Sequence, residues 1–162
     1  MRPWLRLGHG WSIAAESSRA EPMSEYLHVE KPFLDQLAML GWTVIDQGHG
    51  LIPSDPAISL RGNFREWLLP EVFRTSVRTL NLTADGRAWL TDRQLDDLRD
   101  QIVRQPSRTL LEANEAVQAL FFKAQVDVNE LTGEADPVVR LIDFAHPERN
   151  VFHAINQFRI DT

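Results

Sequence analysis

The sequence has no cysteine, only two lysines and no long hydrophobic run. Without cysteine there are no disulfide bonds, thiolate nucleophiles or cysteine-built zinc sites. This composition fits a reducing compartment, and we expect a cytoplasmic protein. Since no apolar run approaches the ~20 residues of a membrane-spanning helix, the sequence predicts no membrane partner.

The residues that are present are typical of a globular domain. The chain has 162 residues, of which 43% are hydrophobic and 25% charged, enough for one domain with its own core. A formal net charge of −6 argues against a surface that binds nucleic acid on all sides, because phosphate contacts need clustered cations. A small basic face is compatible with this charge.

The first 22 residues lack the hydrophobic periodicity of the remainder. They contain arginines but no apolar stretch typical of a secretory signal. A second methionine, Met23, directly precedes the first patterned segment, so Met1 and Met23 are both candidate start residues. We expect residues 1–22 to be a disordered or non-native extension and residues 23–162 to form the folded part.

Apolar residues recur at helical spacing from residue 26 to about residue 122. Phe33 and Leu37 belong to one such stripe, and Thr91 with Gln94 forms the pattern of a capping box. Trp67 is a predicted core anchor. The predicted helices are Tyr26–Leu40, a helical region Ser59–Leu80 with a kink or break at Pro70, a helix that begins after Thr91, and Thr109–Phe122.

Beyond these helices the apolar period changes to two, which is typical of strands. The predicted strands are "AQVDVN", "PVVRLIDF" and "VFHAINQFRI", joined by the turns "ELTGEAD" and "AHPERN", with an earlier short strand at "WTVI". The predicted fold class is therefore α+β, with N-terminal helices followed by an antiparallel β-meander. Its last strand would be a free edge.

Five collinear segments carry a family resemblance. They are "MSEYLHVEKPFLDQLAMLGWTVID", "LRGNFREWLLPEVFRTSVRTLN", "LTDRQLDDL", "LLEANEAVQALFF" and "VRLIDFAHPERNVFHAINQFRI". Together they resemble the N-terminal region of the restriction (R) subunit of type I restriction enzymes. The resemblance implies a partial restriction-endonuclease-like domain of the PD-(D/E)xK type. For the full-length subunit it implies Mg²⁺ and ATP as cofactors, with DNA and the modification and specificity subunits as partners.

The sequence departs from that family where the catalytic strands are expected. In the family the "NQF" strand leads into a Pro-Asp strand and a Glu-x-Lys strand, which hold Mg²⁺. Here Val29 and Phe121 stand two residues before Lys31 and Lys123, so no (D/E)xK motif exists, and neither Pro-Asp nor a Gly-Lys-Ser/Thr phosphate loop occurs. We therefore expect a chain truncated before the catalytic strands, without catalytic residues, a metal site or a cofactor of its own.

Several residues are candidates for a role at the site. By resemblance, Glu30 matches a helix carboxylate that helps to hold metal, although a first-turn glutamate also simply favours the helix dipole. Asn156 and Gln157 could fix a strand end by hydrogen bonding or line the site. Asp143 is predicted to be structural, facing solvent or a donor in a turn.

Two arginine pairs are candidate DNA contacts. Arg61 with Arg65, and Arg74 with Arg78, are spaced four residues apart. Since acidic residues are interleaved with them, a solvated, salt-bridged helix face is the alternative.

Three functional readings remain open. The first is a fragment of an R subunit, from a DNA restriction system but inactive alone, whether natural, frameshifted or an assembly artefact. The second is a non-enzymatic module that binds DNA or the modification and specificity subunits. The third is complementation by a separate polypeptide that carries the catalytic strands. By the resemblance, another subunit determines which DNA sequence is recognised.

Overall fold

A computed structural model describes residues 25–50, 52–106 and 109–161. The predicted extension, residues 1–22, lies outside these ranges. The helices are a π-helical turn Tyr26–Glu30 that continues into α1 (Lys31–Met39), a 3₁₀ turn Pro56–Ser59, α2 (Pro70–Leu80), α3 (Asp92–Val103), α4 (Leu110–Lys123) and a 3₁₀ turn Pro147–Arg149. The strands are β1 (Thr43–Ile45), β2 (Val128–Asn129), β3 (Glu134–Ala135) and β4 (His153–Ile155).

The helix boundaries follow local chemistry. Thr91 caps α3 in the predicted capping box, where its hydroxyl accepts from the Gln94 amide and the Gln94 side chain accepts from the Thr91 amide. Pro70 is the first residue of α2, where its missing N–H costs nothing. The predicted break at Pro70 is confirmed, but the helical prediction for the residues before it was wrong, because residues 60–69 form a non-helical loop.

The strands form two small sheets. β2 and β3 make an antiparallel hairpin in the predicted region, with Val128 opposite Ala135. The predicted second strand "PVVRLIDF" was wrong, because β3 lies within the predicted turn and only Val138 of that segment makes a bridge, to Gln125. β4 does not extend that hairpin, so the prediction of a continuous antiparallel meander was wrong. Instead β4 pairs in parallel with β1, with Ile45 opposite Ile155. The mixed helix and strand content agrees with an α+β class.

The core lies where α2 and α3 pack against the segments around the hairpin. Its buried members are Val77, Leu90, Leu95, Leu98, Ala124, Val126 and Val139. By contrast, α4 has no buried residue, and Leu34 is the buried residue of α1. Trp67 is 47% exposed and does not serve as the core anchor that hydrophobic patterning predicted.

Asp143 has a structural role in the loop before β4. It is only 2% exposed, and its carboxylate accepts from the amides of Ala145 and His146. Burial acts to raise the pKa of Asp143, but those amides and the Arg140 guanidinium hold the pKa below its usual value. Of the two predicted alternatives, the donor in a turn is confirmed, and the carboxylate does not face solvent.

Candidate functional site

Residues that follow β1 and β4 meet at one end of the sheet. Because the two strands are parallel, their carboxyl ends lie side by side. Gln47 binds Asn156 twice there: its backbone N–H donates to Asn156 Oδ1 over 2.7 Å, and its Nε2 donates to the Asn156 carbonyl over 2.7 Å. One of these two hydrogen bonds holds the Asn156 side chain and the other holds its backbone.

The Asn156 amide nitrogen brings two carboxylates together. Nδ2 lies 3.0 Å from Asp46 Oδ1 and 3.4 Å from Glu30 Oε2, and it also donates to the Gly48 carbonyl over 3.1 Å. Gln157, in a left-handed conformation with φ of 50°, places its Nε2 3.4 Å from both Glu30 oxygens. The candidate site is thus a cluster of Glu30, Asp46, Asn156 and Gln157.

Tyr26, in the π-helical turn, holds the Asp46 carboxylate in position. Its hydroxyl donates to Asp46 Oδ2 over 2.5 Å, and this bond raises the pKa of Tyr26. Burial acts to raise the pKa of Asp46, but the Tyr26 hydroxyl, the Gly48 amide and the Asn156 amide together lower it. Asp46 is therefore an ionised acceptor at neutral pH.

An apolar groove lies beside the cluster, on the face between α1 and the β1–β4 pair. It has a volume of about 360 Å³. Its lining is Glu30, Phe33, Leu34, Leu37, Trp42, Ala154, Ile155 and Asn156. Phe33, in this lining, is 58% exposed, so an apolar surface adjoins the Glu30 carboxylate.

The four candidate arginines have different environments. Arg61 is 4% exposed and donates to backbone carbonyls, so its guanidinium does not face solvent. Arg74 and Arg78, on α2, form ion pairs with aspartates at the start of α3. Arg65 is exposed, and within the described ranges its guanidinium has no hydrogen-bond or ion-pair partner. The structure does not bring the four together on one helix face.

Comparison with known proteins identifies the family. The family model of the type I restriction enzyme R protein N terminus matches residues 22–162. The chain belongs to this family. No curated protein and no solved structure matches the chain. Within the described ranges no helix is long and apolar enough to cross a membrane.

The chemistry that the cluster offers to a cation is incomplete. Glu30 and Asp46 provide carboxylate oxygens, the ligands that Mg²⁺ prefers. Within residues 25–50, 52–106 and 109–161, however, no group of three or more His, Cys, Asp or Glu side chains could hold a metal ion. The cluster thus offers two carboxylates, and Asn156 and Gln157 are donors that orient them.

Sequence reasoning singled out Glu30, Asn156 and Gln157 but missed Asp46 and Tyr26. Asp46 directly follows the "WTVI" strand, which is a usable signal only when that strand is known to be parallel to the last one. Because the predicted meander placed the two strands apart, their ends were not expected to meet.

Proposed function

We propose that this chain forms the first part of the nuclease domain of a type I restriction R subunit, acting on DNA in the cytoplasm. In the complete enzyme it would work with modification and specificity subunits, Mg²⁺ and an ATP-driven motor. The cluster of Glu30, Asp46, Asn156 and Gln157 would stand at the edge of the metal site. Family membership and the geometry of this cluster support the proposal.

The contact between Glu30 and the "NQF" segment carries the proposal. Glu30 and Gln157 are 127 residues apart in the chain, yet their side chains are within 3.4 Å. By resemblance, the "NQF" strand leads into the strands that hold Mg²⁺. The Glu30 carboxylate, held beside the "NQF" segment, would be well placed to complete a metal site formed by the strands that follow it.

The sequence by itself supplies too little for catalysis. Phosphodiester hydrolysis of this type needs carboxylates that hold Mg²⁺ and a cation near the attacking water. The sequence contains neither (D/E)xK nor Pro-Asp. We therefore propose that these 162 residues alone do not cleave DNA. The apolar groove beside Glu30 would receive the catalytic strands, supplied by continued chain or by a second polypeptide.

Two measurements test this proposal. Purified protein incubated with plasmid DNA and Mg²⁺ should give no metal-dependent nicks above a no-protein control, and nicking abolished by EDTA would contradict it. The nucleotides after codon 162 should encode Pro-Asp and Glu-x-Lys, in frame, out of frame or in an adjacent reading frame. Unrelated sequence in all frames would remove the support for a divided nuclease domain.

The exposed surface of α4 favours a second candidate function, a module that binds the other subunits. Leu110, Leu111 and Phe122 are 77%, 68% and 62% exposed, and Phe122 stacks on the exposed Phe144 ring at 5.2 Å. Such surface is typical of an interface. If α4 docks on the modification and specificity subunits, Leu111→Glu should abolish co-purification while Glu115→Gln, on the same helix, leaves it intact.

A further inference from the structure

A second concave surface lies away from the Glu30 cluster, between the loop that precedes α2 and the end of α3. It has a volume of about 380 Å³, near the lower end of the range for small-ligand sites. The lining residues that matter here are Arg65, Trp67, Pro70, Arg99, Val103 and Arg104. We call it the Trp67 groove.

We infer that the Trp67 groove binds an unpaired nucleotide of single-stranded DNA, with the base against Trp67 and the phosphate near Arg65 and Arg104. The inference rests on the proposed function for the choice of DNA, and on the groove itself for the contact. Base stacking on an exposed aromatic ring beside cations is how proteins bind single strands without reading sequence.

The charge of the groove fits a phosphate. Three arginines line it against two carboxylates, so the groove is positive although the chain has a net charge of −6. Both carboxylates are already engaged. Glu66 accepts from the Gly62 amide at 2.7 Å and from Asn63, whereas Asp100 accepts from Arg99 at 2.9 Å and pairs with Arg104 at 3.2 Å.

Two cations remain accessible to an incoming phosphate. Arg65 has no partner for its guanidinium in the described part of the chain, and Arg104 is 76% exposed despite its pair with Asp100. Trp67 stands two residues after Arg65 and is 47% exposed, so its ring can stack with a nucleotide base. An acidic peptide would use the same arginines but would not require the indole.

Hydrogen bonds from buried Arg61 and from Asn63 hold the loop that carries Arg65 and Trp67. Buried Arg61 donates to the Glu66 carbonyl over 2.9 Å, and its Nε donates to Ser59 Oγ over 2.9 Å. Asn63 Oδ1 accepts from the Arg65 amide over 2.9 Å. A loop fixed in this way loses little conformational freedom when a ligand binds, which favours affinity.

Fluorescence anisotropy of a short fluorescein-labelled oligothymidylate, titrated with the whole chain, tests this inference. Trp67→Ala should weaken binding at least about 5-fold, as expected for the loss of one stacked base, whereas Trp67→Phe should retain most of the affinity. Arg65→Ala and Arg104→Ala should each weaken binding and reduce the slope of log affinity against log salt by about 0.7. The matched control is Arg87→Ala, an exposed arginine outside the groove, which should leave both unchanged.

The outcomes discriminate between alternatives. Unchanged affinity in Trp67→Ala, or equal loss in Arg87→Ala, would overturn the inference, as would equal binding of a duplex of the same length. Circular dichroism and thermal melting check the fold; if Trp67→Ala is unfolded, the double variant Arg65→Glu/Arg104→Glu, altered only at exposed positions, must lose affinity. None of these results depends on metal-dependent cleavage or on the codons after 162, so failure here leaves the proposed nuclease role to its own tests.

Discussion

The side-chain amide of Asn156 donates to Asp46 Oδ1 over 3.0 Å, although the two residues are 110 positions apart. The same nitrogen lies 3.4 Å from Glu30 Oε2, so one neutral donor separates two carboxylates. Replacing that donor by an acceptor would place three acidic groups together without a cation.

Asn156→Asp is therefore expected to lower the free energy of unfolding at pH 7 by about 2–3 kcal/mol, through lost hydrogen bonds and like-charge repulsion. The repulsion raises the pKa of the new carboxyl above its unfolded value. The deficit should consequently shrink as pH falls from that raised pKa towards the unfolded value of about 3.9. Urea unfolding at pH 7 and at about pH 4 measures the deficit. Asn114→Asp, at an exposed position of α4, is the control and should change stability by less than about 0.5 kcal/mol. A deficit independent of pH would contradict the electrostatic explanation.

Local sequence signals predicted local structure well. The capping box at Thr91 depends on residues three positions apart and is present. A hairpin also forms in the predicted region, although its second strand, Glu134–Ala135, falls within the predicted turn. The pairing of Ile45 with Ile155 was missed, because no local pattern tells a parallel strand from an antiparallel one across such a distance. The candidate site depends on that pairing, so only its separate residues could be predicted.

Pro70 and Arg61 show a second feature that hydrophobic patterning did not predict, the loop before α2. An apolar stripe continued through Pro70, and the pattern predicted helical structure on both sides of a kink or break, whereas the chain is helical only from Pro70, where α2 begins. This choice releases Arg61 into a loop, where it is buried. Its spacing from Arg65 therefore carries no information about a shared helix face.

Arg61→Lys tests how strongly the loop depends on a planar guanidinium. Arg61 Nη1 donates to the Glu66 carbonyl over 2.9 Å and to the Arg159 carbonyl over 2.8 Å. The guanidinium carbon Cζ of Arg61 lies 3.8 Å from the centre of the Phe158 ring. Lysine keeps the charge but loses the fork and the stacking, so we expect a loss of about 2–4 kcal/mol.

Hydrogen exchange would locate this effect. The Asp161 amide donates to the Phe64 carbonyl over 2.9 Å. In the Arg61→Lys variant, hydrogen exchange at this amide should be faster than hydrogen exchange at the core amides. Arg87→Lys, at an exposed ion pair, is the matched control and should change neither stability nor exchange. Equal stability of the two lysine variants would show that the guanidinium geometry is unimportant.

The two capping boxes should differ in their effect on stability. Thr91 caps α3, which buries Leu95 and Leu98, whereas Thr109 caps α4, which has no buried residue. Thr91→Ala should lower the free energy of unfolding by about 1 kcal/mol, because α3 melts only with the core. Thr109→Ala should lower it by less than about 0.5 kcal/mol, because α4 can fray while the core stays folded. Urea midpoints of both variants decide this, and equal losses would show that α4 belongs to the same cooperative unit.

Asp127 links the hairpin to α3 and gives the fold an acid-sensitive contact. The Gln94 side-chain amide, followed by the Arg93 guanidinium, lowers the pKa of Asp127 to about 2. Since the unfolded value is about 3.9, this contribution to stability is fully present above that pH and is lost as pH falls towards about 2. Asp127→Asn should therefore be less stable than the parent protein at pH 6 and equally stable near pH 2.

Asp136→Asn is the control, because the Asp136 side chain has no ion-pair partner in the described part of the chain. Urea titrations between pH 6 and pH 2 provide the measurement, and parallel curves for parent and Asp127→Asn would show that the contact is not coupled to folding.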